Sequence, residues 1–112
     1  MAYPRKVNIA VKTLEDHKAE EVEVLNVQNL TPFADYYIVA TAPNIRALGA
    51  LADHLDEAYL NEGDPVRRIE GKPESEWVIV DAGEIVIHLF LKEKRSEIDL
   101  ETLIKKATAK AK

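Results

Sequence analysis

Apolar residues recur along the chain at two spacings, one helical and one alternating. Val7, Val11 and Leu14 share a stripe over Pro4 to about His17, and Pro4 fits the first turn of a helix there. Val22-Glu23-Val24-Leu25-Asn26-Val27 predicts a strand that Glu23 keeps partly exposed. Pro32 cannot donate to a ladder and restrains Thr31, so Gln28 to Phe33 is a loop before a second strand, Ala34 to Thr41. Ile45, Leu48, Leu51, Ala52, Leu55 and Tyr59 then repeat every three or four residues. This predicts a helix to about Asn61 with Asn44 as N-cap, and Gly63 and Asp64-Pro65 as the stop. Val66 to Glu70 is a short strand candidate, and Gly71 to Ser75 is a turn-rich connection. Beyond the polar run Lys92 to Glu97, Ser96 or Asp99 can cap a final helix carrying Leu100, Leu103, Ile104 and Ala107, with the tail past Thr108 frayed.

The most apolar stretch is Trp77 to Phe90, two β-branched runs flanking a turn. Apolar residues fill both alternating rows, which predicts strands in the middle of a sheet, covered on both faces. Two registers are open. A three-residue loop Asp81-Ala82-Gly83 sets Val80 opposite Glu84 and Glu76 opposite His88, and glycine as the third loop residue favours it. A two-residue Ala82-Gly83 turn sets Asp81 opposite Glu84 and Trp77 opposite His88, and reverses every face. Asp81 and His88 interrupt the apolar pair. Asp81 is either a turn-stabilising side chain or a contact residue, and His88 either a hydrogen-bonded core histidine or part of a site. Trp77 is core or an interface anchor. Tyr36 and Tyr37 must point to opposite faces of their strand.

A strand, a short loop and a long amphipathic helix make half of a crossover unit, so the fold class is α/β. At 112 residues and 46% hydrophobic content the chain is expected to form one domain. Its apolar runs are far below membrane-spanning length, and its first residues lead into a polar amphipathic pattern. The expectation is a soluble, unexported, cytoplasmic protein with no membrane partner. The absence of cysteine removes disulfides, thiolate nucleophiles and cysteine-ligated zinc. A net charge of −5 argues against general nucleic-acid binding and fits a basic protein partner. The basic groups Arg67-Arg68, Lys92-Lys94-Arg95 and Lys105-Lys106-Lys110-Lys112 suit a solvated face and a cationic helix end.

No catalytic motif stands out. Gly49, Gly63, Gly71 and Gly83 are too dispersed for a phosphate loop, and His17, His54 and His88 have no metal spacing. Ser75 and Ser96 lack a nucleophile-elbow context. The alternative is a nucleotide- or metal-dependent enzyme, with Asp35 and Asp81 approaching from neighbouring strands to hold a divalent ion. The expectation is no enzyme, no metal and no cofactor.

The order of motifs is more informative than any one of them. His17-Lys18-Ala19-Glu20-Glu21-Val22, Ala34 to Thr41, Arg68-Ile69-Glu70-Gly71, Glu76 to Asp81 and Ile87-His88 together resemble the ribosomal silencing factor family, RsfS or Iojap-like, from about Val7 to Lys106. The resemblance implies a single α/β domain over residues 1–112, with a mixed sheet of four to five strands packed with helices. The topology would be nucleotidyltransferase-like without that activity. It also implies homodimers and binding to the large ribosomal subunit through its fourteenth ribosomal protein. That binding would block subunit joining and repress translation under nutrient limitation. Family positions fall on Asp35, Tyr36, Glu70, Gly71, Trp77, Asp81 and His88, with Arg95, Leu100 and Glu101 in a C-terminal pattern. The implied partner-binding residues are Trp77, Asp81, Glu70, His88, Tyr36 and Asp35. The chain departs from the family pattern at Thr41-Ala42-Pro43-Asn44, where threonine-glycine-small-serine is frequent, and at Ile98 and Ile104, where tyrosine and tryptophan are.

Overall fold

Helix α1 (Arg5–Asp16) turns at His17 into β1 (Glu20–Asn26), a loop leads to β2 (Tyr36–Ala42), and α2 (Ile45–Asn61) crosses the sheet to β3 (Arg68–Glu70). A 3-10 turn (Pro73–Ser75) enters β4 (Trp77–Asp81), which pairs with β5 (Ile85–Leu91), and α3 (Lys92–Ile98) and α4 (Leu100–Lys110) end the chain. The computed structural model describes residues 3–110, with side chains through 107. The fraying expected past Thr108 lies outside the described side chains.

The five strands run in the order β1-β2-β5-β4-β3. Among the described residues only β2 and β5 pair in parallel, an arrangement that needs a long crossover, and α2 lies within it. Asn44 caps α2 as the pattern predicts, its Oδ1 accepting from the Ala47 N–H at 2.8 Å. Helices α1 and α2 cover one face. There Val7, Ala10, Leu14, Leu48 and Leu55 meet Ile38, Val80, Ile87 and Leu89, all of them fully or nearly fully buried. Each such valine, leucine or isoleucine contributes about 1.5–3 kcal/mol of transfer free energy. Tyr59 is also sealed in, and its hydroxyl donates to the Lys6 carbonyl at 2.6 Å, tying α2 to α1. Burial, with a smaller push from the Asp64 charge, raises the phenol pKa, so it stays a neutral donor.

Three expectations are corrected. The hairpin follows neither proposed register: Trp77 pairs with Phe90, Ile79 with His88 and Asp81 with Val86. Ala82 and Ile85 close the ladder, the Ala82 N–H donating to the Ile85 carbonyl at 2.9 Å, so the two turn residues are Gly83 and Glu84. Gly83 has φ +89° while Glu84 is not among the positive-φ residues, the pattern of a turn with glycine first. The side chains therefore use the faces of the two-residue alternative, displaced by two residues along the partner strand. Second, Ser96 does not cap the final helix but lies inside α3, because the polar run after β5 is itself helical. Its inward residue is Arg95, 8% exposed, and Asp99 at φ +50° separates α3 from α4.

The third correction concerns coverage. Strand β5 is buried on both sides, but β4 alternates between buried and half-exposed residues. On the face away from α1 and α2, Ile104 of α4 packs with Leu25, Val27, Val39 and Phe90, with Ile98 and Leu100 alongside. Lys105 reaches Glu23 of β1 at 3.0 Å, and Arg95 donates to Thr41 Oγ1 at 2.8 Å and to the Glu21 carbonyl at 2.7 Å. These contacts hold the C-terminal helices over β1, β2 and the near edge of β5. Trp77, Ile79 and Asp81 of β4 remain only partly buried.

Candidate functional site

The register arranges the half-covered face as three rows across the sheet. One row runs Leu25, Tyr37, Val86, Asp81, Arg68, and the next Glu23, Val39, His88, Ile79, Glu70. A third row holds Thr41, Phe90 and Trp77. Val39 and Phe90 are fully buried, whereas Tyr37, Val86, Ile79 and Trp77 are half-exposed. The result is an apolar floor rimmed by the charges of β3, the edge strand, where Arg68 and Glu70 are exposed. A patch of this kind, apolar at the centre and polar at the edge, has the anatomy of a protein interface.

Trp77 is held from several directions. Its ring stacks on Phe90 with centroids 5.0 Å apart, and its Nε1–H donates to His88 Nδ1 at 3.3 Å. Below it, Gly71 at φ +85° passes so close that a Cβ there would lie 2.5 Å from the Trp77 carbonyl oxygen. Ser75 Oγ sits 2.6 Å from the Lys72 carbonyl and 3.2 Å from that of Trp77, bracing the entry into β4. His88 is 6% exposed, and burial lowers its pKa to about 4, so the ring is neutral near pH 7. The Tyr37 ring lies against it at 4.7 Å, tilted by 52°. An indole with fixed orientation and partial exposure loses little freedom on binding, which is the property of an anchor.

Asp81 serves the turn and the rim together. Its Oδ1 accepts from the Gly83 N–H at 2.9 Å, and its Oδ2 lies 3.7 Å from Arg68 Nε, which is equally far from Glu70 Oε2. Of the residues singled out in the sequence, Trp77, Asp81, Glu70 and His88 thus share one face. Tyr36 does not join them. It is 8% exposed on the opposite face, packed in the α1–α2 core with Tyr3 edge-on at 5.7 Å. Asp35 also stands apart, at the entry of β2, where its N–H donates to the Glu84 carbonyl at 2.7 Å and its carbonyl accepts from the Val27 N–H at 2.9 Å. Among the described residues, no three histidine or acidic side chains converge as metal ligands. Sequence reasoning missed Ile79, Val86, Tyr37 and Arg68. Ile79 follows from alternation with Trp77 and Asp81, but the other three need the register.

A shallow groove of about 440 Å³ lies on the helix-covered side, between α2 and the 3-10 turn. Arg46, Asp53 and Glu74 line it, with no histidine, serine or threonine among the lining residues. It offers no nucleophile–base pair.

The family model described as "Ribosomal silencing factor during starvation" matches residues 1–112. A ribosomal silencing factor of Halalkalibacterium halodurans is 30% identical over 103 residues, covering 92% of this chain and 88% of that protein. The mouse "Mitochondrial assembly of ribosomal large subunit protein 1" is 32% identical over 100 residues, covering 87% of this chain and 44% of its own length. A crystal structure of a protein from Chromobacterium violaceum superposes with a TM-score of 0.88 at 32% identity, over 94% of this chain and 88% of that one. With the whole chain matched, and a five-stranded mixed sheet shared with a solved relative, the protein belongs to the ribosomal silencing factor family.

Proposed function

We propose that the chain is a ribosomal silencing factor that acts by occupying space. Its half-open sheet face docks on the fourteenth protein of the large ribosomal subunit, in the cytoplasm, and its bulk keeps the small subunit from joining. Translation is thereby repressed when nutrients are scarce. The observation that carries this reading is Trp77, half-exposed, hydrogen-bonded and stacked at the end of an apolar floor that the C-terminal helices leave open. The family name supports the silencing role, and the name of the mouse relative supports the large subunit as partner. The net charge of −5 suits attraction to a basic ribosomal protein, with Glu70 and Asp81 at the rim meeting arginine or lysine. Such a mechanism needs complementarity and no turnover, so the protein works without catalysis. The resemblance also implies homodimers.

The test is co-sedimentation with separated subunits. The wild-type chain travels with large subunits and not with small ones, and the folded Trp77→Ala/Asp81→Arg variant travels with neither. Binding by that folded variant, undiminished, would move the interface elsewhere.

A further inference from the structure

The Trp77–His88 hydrogen bond fixes more than the indole. Because His88 Nδ1 accepts from Trp77, the neutral ring carries its proton on Nε2. That Nε2 is buried and has no hydrogen-bond partner among the described residues, in a residue that is 6% exposed. A buried donor left unmet is a standing cost to the free chain, and native proteins seldom keep one without a use. The rings against it are Tyr37, Trp77 and Phe90. Tyr37 is only half-buried and its ring lies 4.7 Å from the imidazole, so its displacement is the movement that would uncover the imidazole while leaving the Trp77 bond in place. Burial is the one cause of the lowered His88 basicity, and neither a carboxylate nor an ammonium group contributes to it.

We infer that His88 is a recognition donor of the docking face, its Nε2–H met in the complex by a carbonyl oxygen of the docked ribosomal partner. A carbonyl fits better than a carboxylate, since Asp81 and Glu70 outnumber Arg68, which lies between them at the rim of this face. The inference rests on the docking reading above and goes beyond it by assigning one atom a role in specificity.

The experiment titrates the full chain against purified large subunits, with Trp77→Ala, His88→Asn and His88→Gln beside the wild type, and folding checked by circular dichroism. The asparagine oxygen can replace Nδ1 as acceptor for the indole but places no donor where Nε2 stood. The glutamine amide reaches that position. Trp77 is the sole tryptophan, so its emission reports whether the indole bond survives. His88→Asn is expected to keep the wild-type emission while binding about ten-fold more weakly, and His88→Gln to bind better than His88→Asn. The wild-type advantage over His88→Gln should stay constant between about pH 6 and about pH 8. A folded His88→Asn chain that binds like the wild type overturns the inference, as does a wild-type advantage that grows toward pH 6, which would show a carboxylate reading the imidazolium. In both cases loss of binding by Trp77→Ala leaves the docking reading standing. Undiminished binding by Trp77→Ala defeats that reading and this inference together.

Discussion

Arg95 and Glu101 lock the bend between α3 and α4: the Nε and Nη2 of Arg95 each lie 3.0 Å from the same Glu101 oxygen. The remaining nitrogen of the guanidinium donates to Thr41 and to the Glu21 carbonyl, so one side chain fastens two helices to two strands. Breaking a buried pair from one side strands the other charge, which costs about 3–5 kcal/mol. Arg95→Leu should therefore lower stability by roughly 3 kcal/mol in urea unfolding, and Arg95→Lys should recover little, since the three donors of an ammonium radiate from one nitrogen and cannot span acceptors that the guanidinium reaches with three. The double variant Arg95→Leu/Glu101→Leu should be less destabilised than Arg95→Leu alone. A single variant as stable as the wild type would show that the network is not what docks α4.

Gly71 is tied to the anchor through backbone. At φ +85°, any side chain is strained, and here the added Cβ would meet the Trp77 carbonyl oxygen at 2.5 Å. Gly71→Ala should cost about 1–3 kcal/mol and shift the Trp77 emission, because β4 must move to make room. A variant with unchanged melting temperature and emission would contradict this packing.

The buried imidazole makes stability depend on acid. In the fold His88 titrates at about 4, against 6.5 for the free side chain, so between those values the unfolded chain binds more protons. Stability from this group is fully present above about pH 6.5, falls as pH drops toward 4, and changes no further below that. The loss is on the order of 3 kcal/mol. Urea midpoints measured over this range should fall more steeply for the wild type than for His88→Leu. Equal slopes would place the imidazole in a wetter environment.

Most of the fold was legible because propensity and periodicity agreed with the tertiary outcome. Helix α2, its Asn44 cap and the strand pair around Trp77 to Phe90 all follow from spacing alone. The register did not, because Ala82-Gly83-Glu84 allows glycine to serve as either the first or the last special residue of the turn. Helix α3 was hidden for a different reason. Its inward position is held by Arg95, whose long stem packs like an apolar residue while its charge is satisfied inside. The candidate face was legible in part: Trp77, Asp81, Glu70 and His88 were identified, and they meet on one surface. Tyr36 was grouped with them, although adjacent strand residues must part, and Tyr37 is the one that shares their face. The break between α3 and α4 falls at the left-handed Asp99, a conformation that no periodicity announces.

The most direct test mixes separated large and small subunits with the protein and follows whole ribosomes by sucrose-gradient sedimentation. Added before mixing, the wild-type chain should reduce the whole-ribosome peak in proportion to its occupancy of large subunits, and the folded Trp77→Ala/Asp81→Arg variant should leave the peak intact. Full assembly with every large subunit carrying the wild-type chain would contradict the account.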